Sequence, residues 1–484
     1  MLFQSIEFLI FLPIVFLLYW FVFKNLRVQN ALVLVASYVF YGWWDWRFLI
    51  LIALTSGFSY WSGLLIKNSE GNQRKQKWIC AGNIIINLLI LFAFKYLNFF
   101  SESLVALFAL FGIHLDWVTL KIILPVGISF YTFQALSYTI DVYRKKIEPT
   151  RDIVAFFAFI SFFPQLVAGP IERATNLLPQ FLKPRKFDYA TAVDGCRQML
   201  WGFFKKIVVA DNCAVYVNQV FESYQDQTGS TLLLAAVFFT FQIYGDFSGY
   251  SDIAIGCAKL FGVRLMRNFN VPYFSRDIAE FWRRWHISLT TWFRDYIYIP
   301  LGGSRVSKAK VVRNTFIIFL VSGFWHGANW TFIAWGAYHA LLFLPLILLG
   351  KNRKNTNIVA EGRLLPSFGE FSRMLLTFAL VVIGWIIFRA ESIGQAWEYV
   401  CGMMQFGTLK AVYRFFLPNR LLCWPTNLFI VFMLVVEWLQ RDKQHGLGML
   451  NGKSKIINWA FYIIVSMLVF WYYQDNNAFI YFQF

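Results

Sequence analysis

The 484-residue chain is 58% hydrophobic and 14% charged, far below the quarter of charged residues usual in a soluble domain, so its solvent is largely lipid. Its formal charge of +18 would suggest nucleic acid in a soluble protein. Here the Lys and Arg fall mainly in short loops between apolar runs, where they orient membrane spans, and no nucleic-acid partner is expected.

Long apolar segments at about 7–23, 31–44, 47–66, 78–100, 121–143, 192–222, 231–262, 311–326, 330–349, 371–390, 425–440 and 456–474 predict about twelve spans, within a range of about ten to thirteen. The first run, Glu7 to Phe23, has no small-residue cleavage site after it and reads as a retained span. Segments 31–44 and 311–326 are shorter than the roughly 20 residues of a full crossing, and are expected to tilt, meet mid-membrane or thin the bilayer. Basic residues alternate with this count. Lys24 with Arg27, then the clusters at 67–77, 144–151, 264–267, 305–313, 351–363 and 441–455, fall on one side, which is assigned to the cytoplasm. Both termini are then extracytoplasmic. The loops 101–120 and 223–230 carry no Lys or Arg, as that requires; the loop 391–424, with Lys410, Arg414 and Arg420, fits less well and reads as a segment that re-enters the membrane.

Two stretches on the cytoplasmic side are too aromatic for plain loops. Pro164 and Pro170 interrupt 152–182, which predicts a broken or re-entrant element buried in protein. In 276–300, Trp282, Trp285, Leu289, Trp292 and Tyr296 recur at helical spacing with Arg283, Arg284 and Arg294 among them, which predicts one interfacial amphipathic helix. With no repeat and no polar stretch long enough for a soluble domain, residues 1–484 read as a single membrane domain. The six cysteines have no C-x-x-C spacing, so neither disulfides nor a metal site is expected.

No phosphate-binding loop, G-x-S-x-G elbow or H-E-x-x-H pair is present. What remains is ionisable residues in or beside apolar spans, which carry function by default. His326 ends the span 311–326, within the run Val-Ser-Gly-Phe-Trp-His-Gly-Ala-Asn-Trp. A neutral imidazole there is able to take a proton from an attacking hydroxyl, with Asn329 or Trp330 orienting it; the bland alternative is a packed histidine bonded to a neighbouring carbonyl. His286 either faces the protein interior from the cytoplasmic side or, the commoner case, snorkels to the headgroups. His339 reads as packed in its span, and His114 and His445 as solvated in loops. Asp246 and Asp252, in Tyr-Gly-Asp-Phe-Ser-Gly-Tyr-Ser-Asp, read as structural ion-pair partners of nearby arginines.

The ordered runs of the chain resemble the membrane-bound O-acyltransferases, in particular the bacterial branch that acetylates alginate and related exopolysaccharides. They include Tyr-Val-Phe-Tyr-Gly-Trp-Trp at 38–44, Gly-Ile-Ser-Phe-Tyr-Thr-Phe-Gln at 127–134, Phe-Phe-Pro-Gln-Leu-Val-Ala-Gly-Pro-Ile at 162–171, Asp-Phe-Ser-Gly-Tyr-Ser-Asp at 246–252, Phe-Trp-Arg-Arg-Trp-His-Ile-Ser-Leu at 281–289 and Gly-Phe-Trp-His-Gly-Ala at 323–328. The resemblance implies an all-α polytopic fold, a ring of tilted transmembrane helices with re-entrant and interfacial helices around a central tunnel. It implies that His326 is catalytic and that His286 lines the same path, as proton carrier or donor-positioning residue. It also implies a bacterial inner-membrane location and a separate extracytoplasmic esterase-like or acetyltransferase partner.

The expected reaction passes an acetyl group from cytoplasmic acetyl-CoA to an extracytoplasmic polysaccharide hydroxyl, directly or through that partner. Arg283 and Arg284 are candidate contacts for the donor phosphates, and Trp325 and Asn329 join them as candidate substrate contacts; no bound cofactor is expected. Within the same class, the alternatives are D-alanyl transfer to teichoic acid and peptidoglycan O-acetylation. From a different class, a polysaccharide or ion transporter is also polytopic, but paired halves with matching interruptions are not evident.

Overall fold

Lipid leaves backbone N–H and C=O groups no partner except each other, so long apolar runs become helices. The computed structural model describes residues 1–114, 125–405, 420–450, 452 and 454–474, and in it each of the twelve apolar stretches is helical where described. Residues 115–124, at the start of the stretch expected over 121–143, lie outside the described residues, as do Lys410 and Arg414 of the 391–424 loop. Among the described residues five helices are long and apolar enough to cross a bilayer: Phe48–Asn68, Gln73–Lys95, Gly229–Leu260, Trp330–Leu348 and Phe368–Arg389. Shorter apolar helices lie at Ile6–Val22, Leu97–Ala109, Pro425–Leu439 and Lys455–Trp471. The protein is thus an all-helical, multi-pass membrane protein.

Polar side chains start many of these helices by accepting a first-turn N–H. Ser5, Asn25, Asn72, Asp152, Ser392 and Ser454 do so, and Ser367 forms a reciprocal capping box with Glu370. Contacts group the chain into two compact units, residues 1–192 with 257–266, and residues 193–256 with 267–484.

In the first unit, α1 (Ile6–Leu17), α2 (Leu26–Gly42), α3 (Phe48–Asn68), α4 (Gln73–Lys95) and α5 (Leu97–Ala109) expose large apolar side chains such as Leu9, Ile10, Val35, Ile50, Leu89 and Leu107. On a membrane protein these are the faces that meet lipid. By contrast α6 (Ile128–Tyr143) is buried at every residue except Ile140 and Tyr143, so it packs on protein all round. The stretch 152–182 is broken as expected. Its α7 (Ile153–Ser161) stops at Phe162, α8 (Phe163–Leu166) starts with Pro164 in its first turn, and α9 (Ala174–Phe181) follows. The backbone freed at the break finds side chains: Ser37 Oγ accepts from Phe163 N at 3.0 Å, and the amides of Gln134 and Gln165 donate to Phe159 O.

In the second unit, α10 (Tyr189–Phe203) runs through a π-helical turn, Phe204–Ala210, into α11 (Asp211–Glu222). It meets α12 (Gly229–Leu260) at glycines: a Cβ on Gly249 would stand 2.7 Å from Gly202 O, and one on Gly202 2.6 Å from Gly249 O. Lys205 and Lys206, consecutive in the π turn, are both buried. Lys206 Nζ lies 2.7 Å from Asp211 and 2.8 Å from Asp246, while Lys205 Nζ lies 2.6 Å from Asp252 and 3.8 Å from Glu437. The two aspartates of α12 are therefore ion-pair partners, but of lysines and not of the arginines expected. The helix that faces them carries lysines at the contact, and the loop residue Arg267 adds its charge near Asp252 without forming the close pair.

The remaining helices of this unit are α13 (Ile278–Arg284), α14 (Ile287–Phe293), α15 (Lys308–His326), α16 (Trp330–Leu348), α17 (Phe368–Arg389) and α18 (Ile393–Met403), followed by Arg420–Leu439 and Lys455–Trp471. α15 and α16 form a tight hairpin. A Cβ on Gly323 would collide with Phe332 O, and one on Gly336 with Phe319 O, so only glycine permits this approach.

Two outcomes follow from this packing. Gly336→Leu is expected to abolish the monodisperse peak of detergent-solubilised protein, because backbone and not a flexible side chain must move; a wild-type elution profile would contradict the close approach. Lys206→Met removes the cation that Asp211 and Asp246 share, at an expected cost of about 3–5 kcal/mol, measurable as a lowered thermal unfolding midpoint; an unchanged midpoint would mean the triad is not a stabilising contact.

Candidate active site

The sequence stretch 276–300 is not one helix. Trp285 is extended (φ −97°, ψ 130°) and His286 is left-handed (φ 43°, ψ 54°), which separates α13 from α14. The loop 268–270 causes the break by taking backbone bonds there: Asn270 N donates to Arg284 O at 2.9 Å and Ile287 N to Asn268 O at 2.8 Å. Trp282, Trp285, Leu289 and Trp292 are all buried, so the stripe expected to lie at the membrane interface faces protein instead. Its helical spacing misled because both short helices bury the same side.

The arginines of this segment hold a loop. Arg283 donates to Asn352 O at 2.8 Å and Asn355 O at 2.7 Å. Arg284 pairs with Glu280 at 2.8 Å and donates to Asn357 O at 3.1 Å, while Arg276 bonds Glu280 and Asn357. Arg284 is buried and Arg283 is exposed.

His286 is fully enclosed, 1% exposed. Phe247 stands edge-on at 4.6 Å between ring centroids, with Phe269 at 6.3 Å and Trp325 at 6.0 Å. Its Nδ1 lies 3.1 Å from Asn268 Oδ1, whereas Nε2 has no hydrogen-bond partner among the described residues. Burial in this apolar shell holds the imidazole far below its ordinary value, down to about 3, so it is neutral across physiological pH. It does not snorkel to the headgroups, the commoner case on sequence grounds.

His326 is the last residue of α15 and is 4% exposed. Trp325, Trp335 and Phe388 surround its ring at 5.0, 5.1 and 5.4 Å. Gly327, extended just beyond it, has no room for a Cβ against the Phe332 ring. Trp325 thus lies in ring contact with both His286 and His326. Asn329 caps α16, its side-chain oxygen accepting from Thr331 N at 3.0 Å and its amide donating to Glu391 O at 3.1 Å. Trp330 is exposed.

The other histidines divide. His339 is packed within its span as expected, between Trp282 and Trp335 at 5.0 Å each. His114 is exposed. His445, expected to be solvated, is instead buried and lies 3.0 Å from Asp194, because Gly446 lets the chain press onto the Trp201 ring. Behind Asn268 is a polar cavity lined by Lys205, Ser251, Asp252, Glu437 and His445, of about 20 Å³. That is room for about one water molecule and not for a thioester chain.

Sequence reasoning missed Asn268, Ser251, Ser288 and Phe247. Ser251 and Phe247 sit in the Asp-Phe-Ser-Gly-Tyr-Ser-Asp run already noted for its carboxylates; Asn268 sits in a loop with no periodic pattern to mark it. Together the residues form an enclosed aromatic site with two imidazoles, one of which has an uncommitted ring nitrogen. Such a site can move a proton away from bulk water.

Known proteins of one enzyme family resemble the chain in sequence. The profile of the membrane-bound O-acyltransferase family matches residues 149–387, which contain both histidines. The chain is 44% identical to a protein of Pseudomonas aeruginosa named probable alginate O-acetylase, over 84% of this chain and 76% of that one. It is 30% identical to the peptidoglycan O-acetyltransferase of Helicobacter pylori over 98% of this chain and 95% of that one, and 26% identical to the teichoic acid D-alanyltransferase of Bacillus subtilis over 69% and 84%. By this family match and these relatives, together with its apolar helices, the chain belongs to the membrane-bound O-acyltransferase family and is a membrane O-acyltransferase.

Proposed function

We propose that this protein transfers an acetyl group from acetyl-CoA, arriving at the cytoplasmic face of a bacterial inner membrane, to a hydroxyl of an extracytoplasmic polysaccharide, alginate or a related exopolysaccharide. The single observation that carries the catalytic part is the Trp325 indole in ring contact with both His286 and His326 in an enclosed site. The choice of acetyl and polysaccharide rests on 40 to 44% identity to five probable alginate O-acetylases.

In this reading His326 accepts the proton of the acceptor hydroxyl as its oxygen attacks the thioester carbonyl. The C–O bond forms, the C–S bond breaks, and CoA leaves as the thiol after taking up a proton. His286, neutral and with Nε2 uncommitted, is the second proton acceptor on the path. Trp325 is the wall between them. Because His326 is 4% exposed, substrates reach it only when neighbouring aromatic side chains move. The aromatic shell then keeps water from hydrolysing the thioester.

Arg283, exposed beside the basic loop 351–363, is the nearer candidate for the donor phosphates, whereas Arg284 and Asn329 act by holding the local fold. An extracytoplasmic esterase-like or acetyltransferase partner belongs to the same proposal as the final acceptor or relay of the acetyl group. So do the single domain over 1–484, about twelve spans, and two extracytoplasmic termini. A second reading, acetylation of peptidoglycan, is favoured by one observation: the Helicobacter pylori relative matches across 98% of this chain.

His326→Ala is expected to remove polymer acetylation, by a factor of about 100 or more, with membrane abundance unchanged; retained ester acetate would reject the assignment. In vesicles supplied with radiolabelled acetyl-CoA or with a D-alanyl carrier protein, label should appear only from acetyl-CoA, and transfer from the carrier would reject the donor. Ester acetate measured separately in secreted polymer and in peptidoglycan of a deletion strain is expected to fall in the polymer; loss from peptidoglycan alone would favour the second reading.

A further inference from the structure

We propose that Asn268 is a positioning residue that fixes His286 in the Nδ1–H tautomer and so presents a bare Nε2 to the reaction path; the catalytic part of this rests on the function proposed above.

The direction of the Asn268 amide is set by its surroundings. A backbone N–H can only donate, and Ser288 N points at Oδ1 from 3.3 Å, so that atom is the acceptor oxygen. Ser288 Oγ adds a second donor at 2.9 Å. The other end agrees: Asn268 Nδ2 donates to Ser251 Oγ at 3.1 Å. With the oxygen so placed, His286 Nδ1 at 3.1 Å must carry a proton, because a bare nitrogen would set two lone pairs against each other in a buried site. One ring nitrogen of a neutral imidazole is then bare, and it is Nε2, which has no partner among the described residues.

The backbone cooperates. Ile287 N donates to Asn268 O at 2.8 Å, so the same asparagine grips the main chain next to the histidine and its side chain. The left-handed His286 conformation, unfavourable for a side chain with a Cβ, persists where such contacts over-determine it. The other described neighbours of the ring, Phe247, Phe269 and Trp325, bear no charge. Asn268 and Ser288 are thus the polar contacts among the described residues that choose between tautomers. On α12 the arrangement uses the residues between the two ion-paired aspartates: Phe247 packs on the imidazole and Ser251 receives the amide of Asn268.

The test is direct. In ¹⁵N-histidine spectra of the full-length protein in nanodiscs, the signal absent from His286→Gln is expected to report a proton on Nδ1 and a bare Nε2. A proton on Nε2 would overturn the inference whatever the activity. Kinetically, Asn268→Leu is expected to lower kcat about tenfold or more with the KM for acetyl-CoA unchanged. Asn268→Asp sets a carboxylate against Nδ1–H, and is expected to raise the acid limb of the rate profile by about one pH unit or more. Loss of rate in Asn268→Asp with an unmoved profile would reduce Asn268 to a structural contact and overturn the positioning role. If the spectra report Nδ1–H while His286→Gln still acetylates polymer at the wild-type rate, the functional reading of His286 falls and the tautomer assignment stands.

Discussion

Burial is the constraint on which this molecule depends: a charge taken into the interior needs a partner that the chain itself supplies, and a polar atom left without one is costly. The second unit answers it in three places with the same helix. α12 offers Asp246 and Asp252 to two lysines of the π turn, and between them Ser251 to Asn268. The residues that neutralise buried charge and those that orient an imidazole are therefore neighbours on one rigid element. The glycines at 202 and 249 bring the lysine-bearing backbone within reach of it.

The break between α13 and α14 has the same origin. A continuous helix would satisfy its own backbone but would leave the loop 268–270 with unmet N–H and C=O groups in a dry interior. Exchanging bonds between the two segments satisfies both, and it turns His286 out of helical register toward Phe247 and Trp325. What looks like a defect in an amphipathic helix is the device that aims the side chain.

Much of this was legible in the sequence, unevenly. Apolar runs gave the helices because lipid permits little else, and Pro164 with Pro170 announced the buried break at 162–171. His326 and His286 were marked by residues flanking them. The 276–300 break was not legible: aromatic spacing of 3.6 persists through it, since both halves bury the same side, and the bonds that interrupt it come from residues 268–270. Lysine as the partner of Asp246 and Asp252 was hidden for a similar reason, because the π turn that carries Lys205 and Lys206 has no pattern of its own. His445 was misread since its burial depends on Gly446 lying flat against Trp201.

The strap between the arginines of 276–284 and the segment 352–357 has an evolutionary and engineering corollary. Arg283 and Arg284 reach main-chain oxygens at 352, 355 and 357, atoms that every amino acid possesses. Such recognition is nearly blind to which residue occupies 352, yet it reads spacing to within one peptide unit. Position 352 can therefore drift in composition while the segment's length stays fixed, and a single inserted or deleted residue would disturb the helix that ends at Arg284, two residues before His286, more than a replacement at 352.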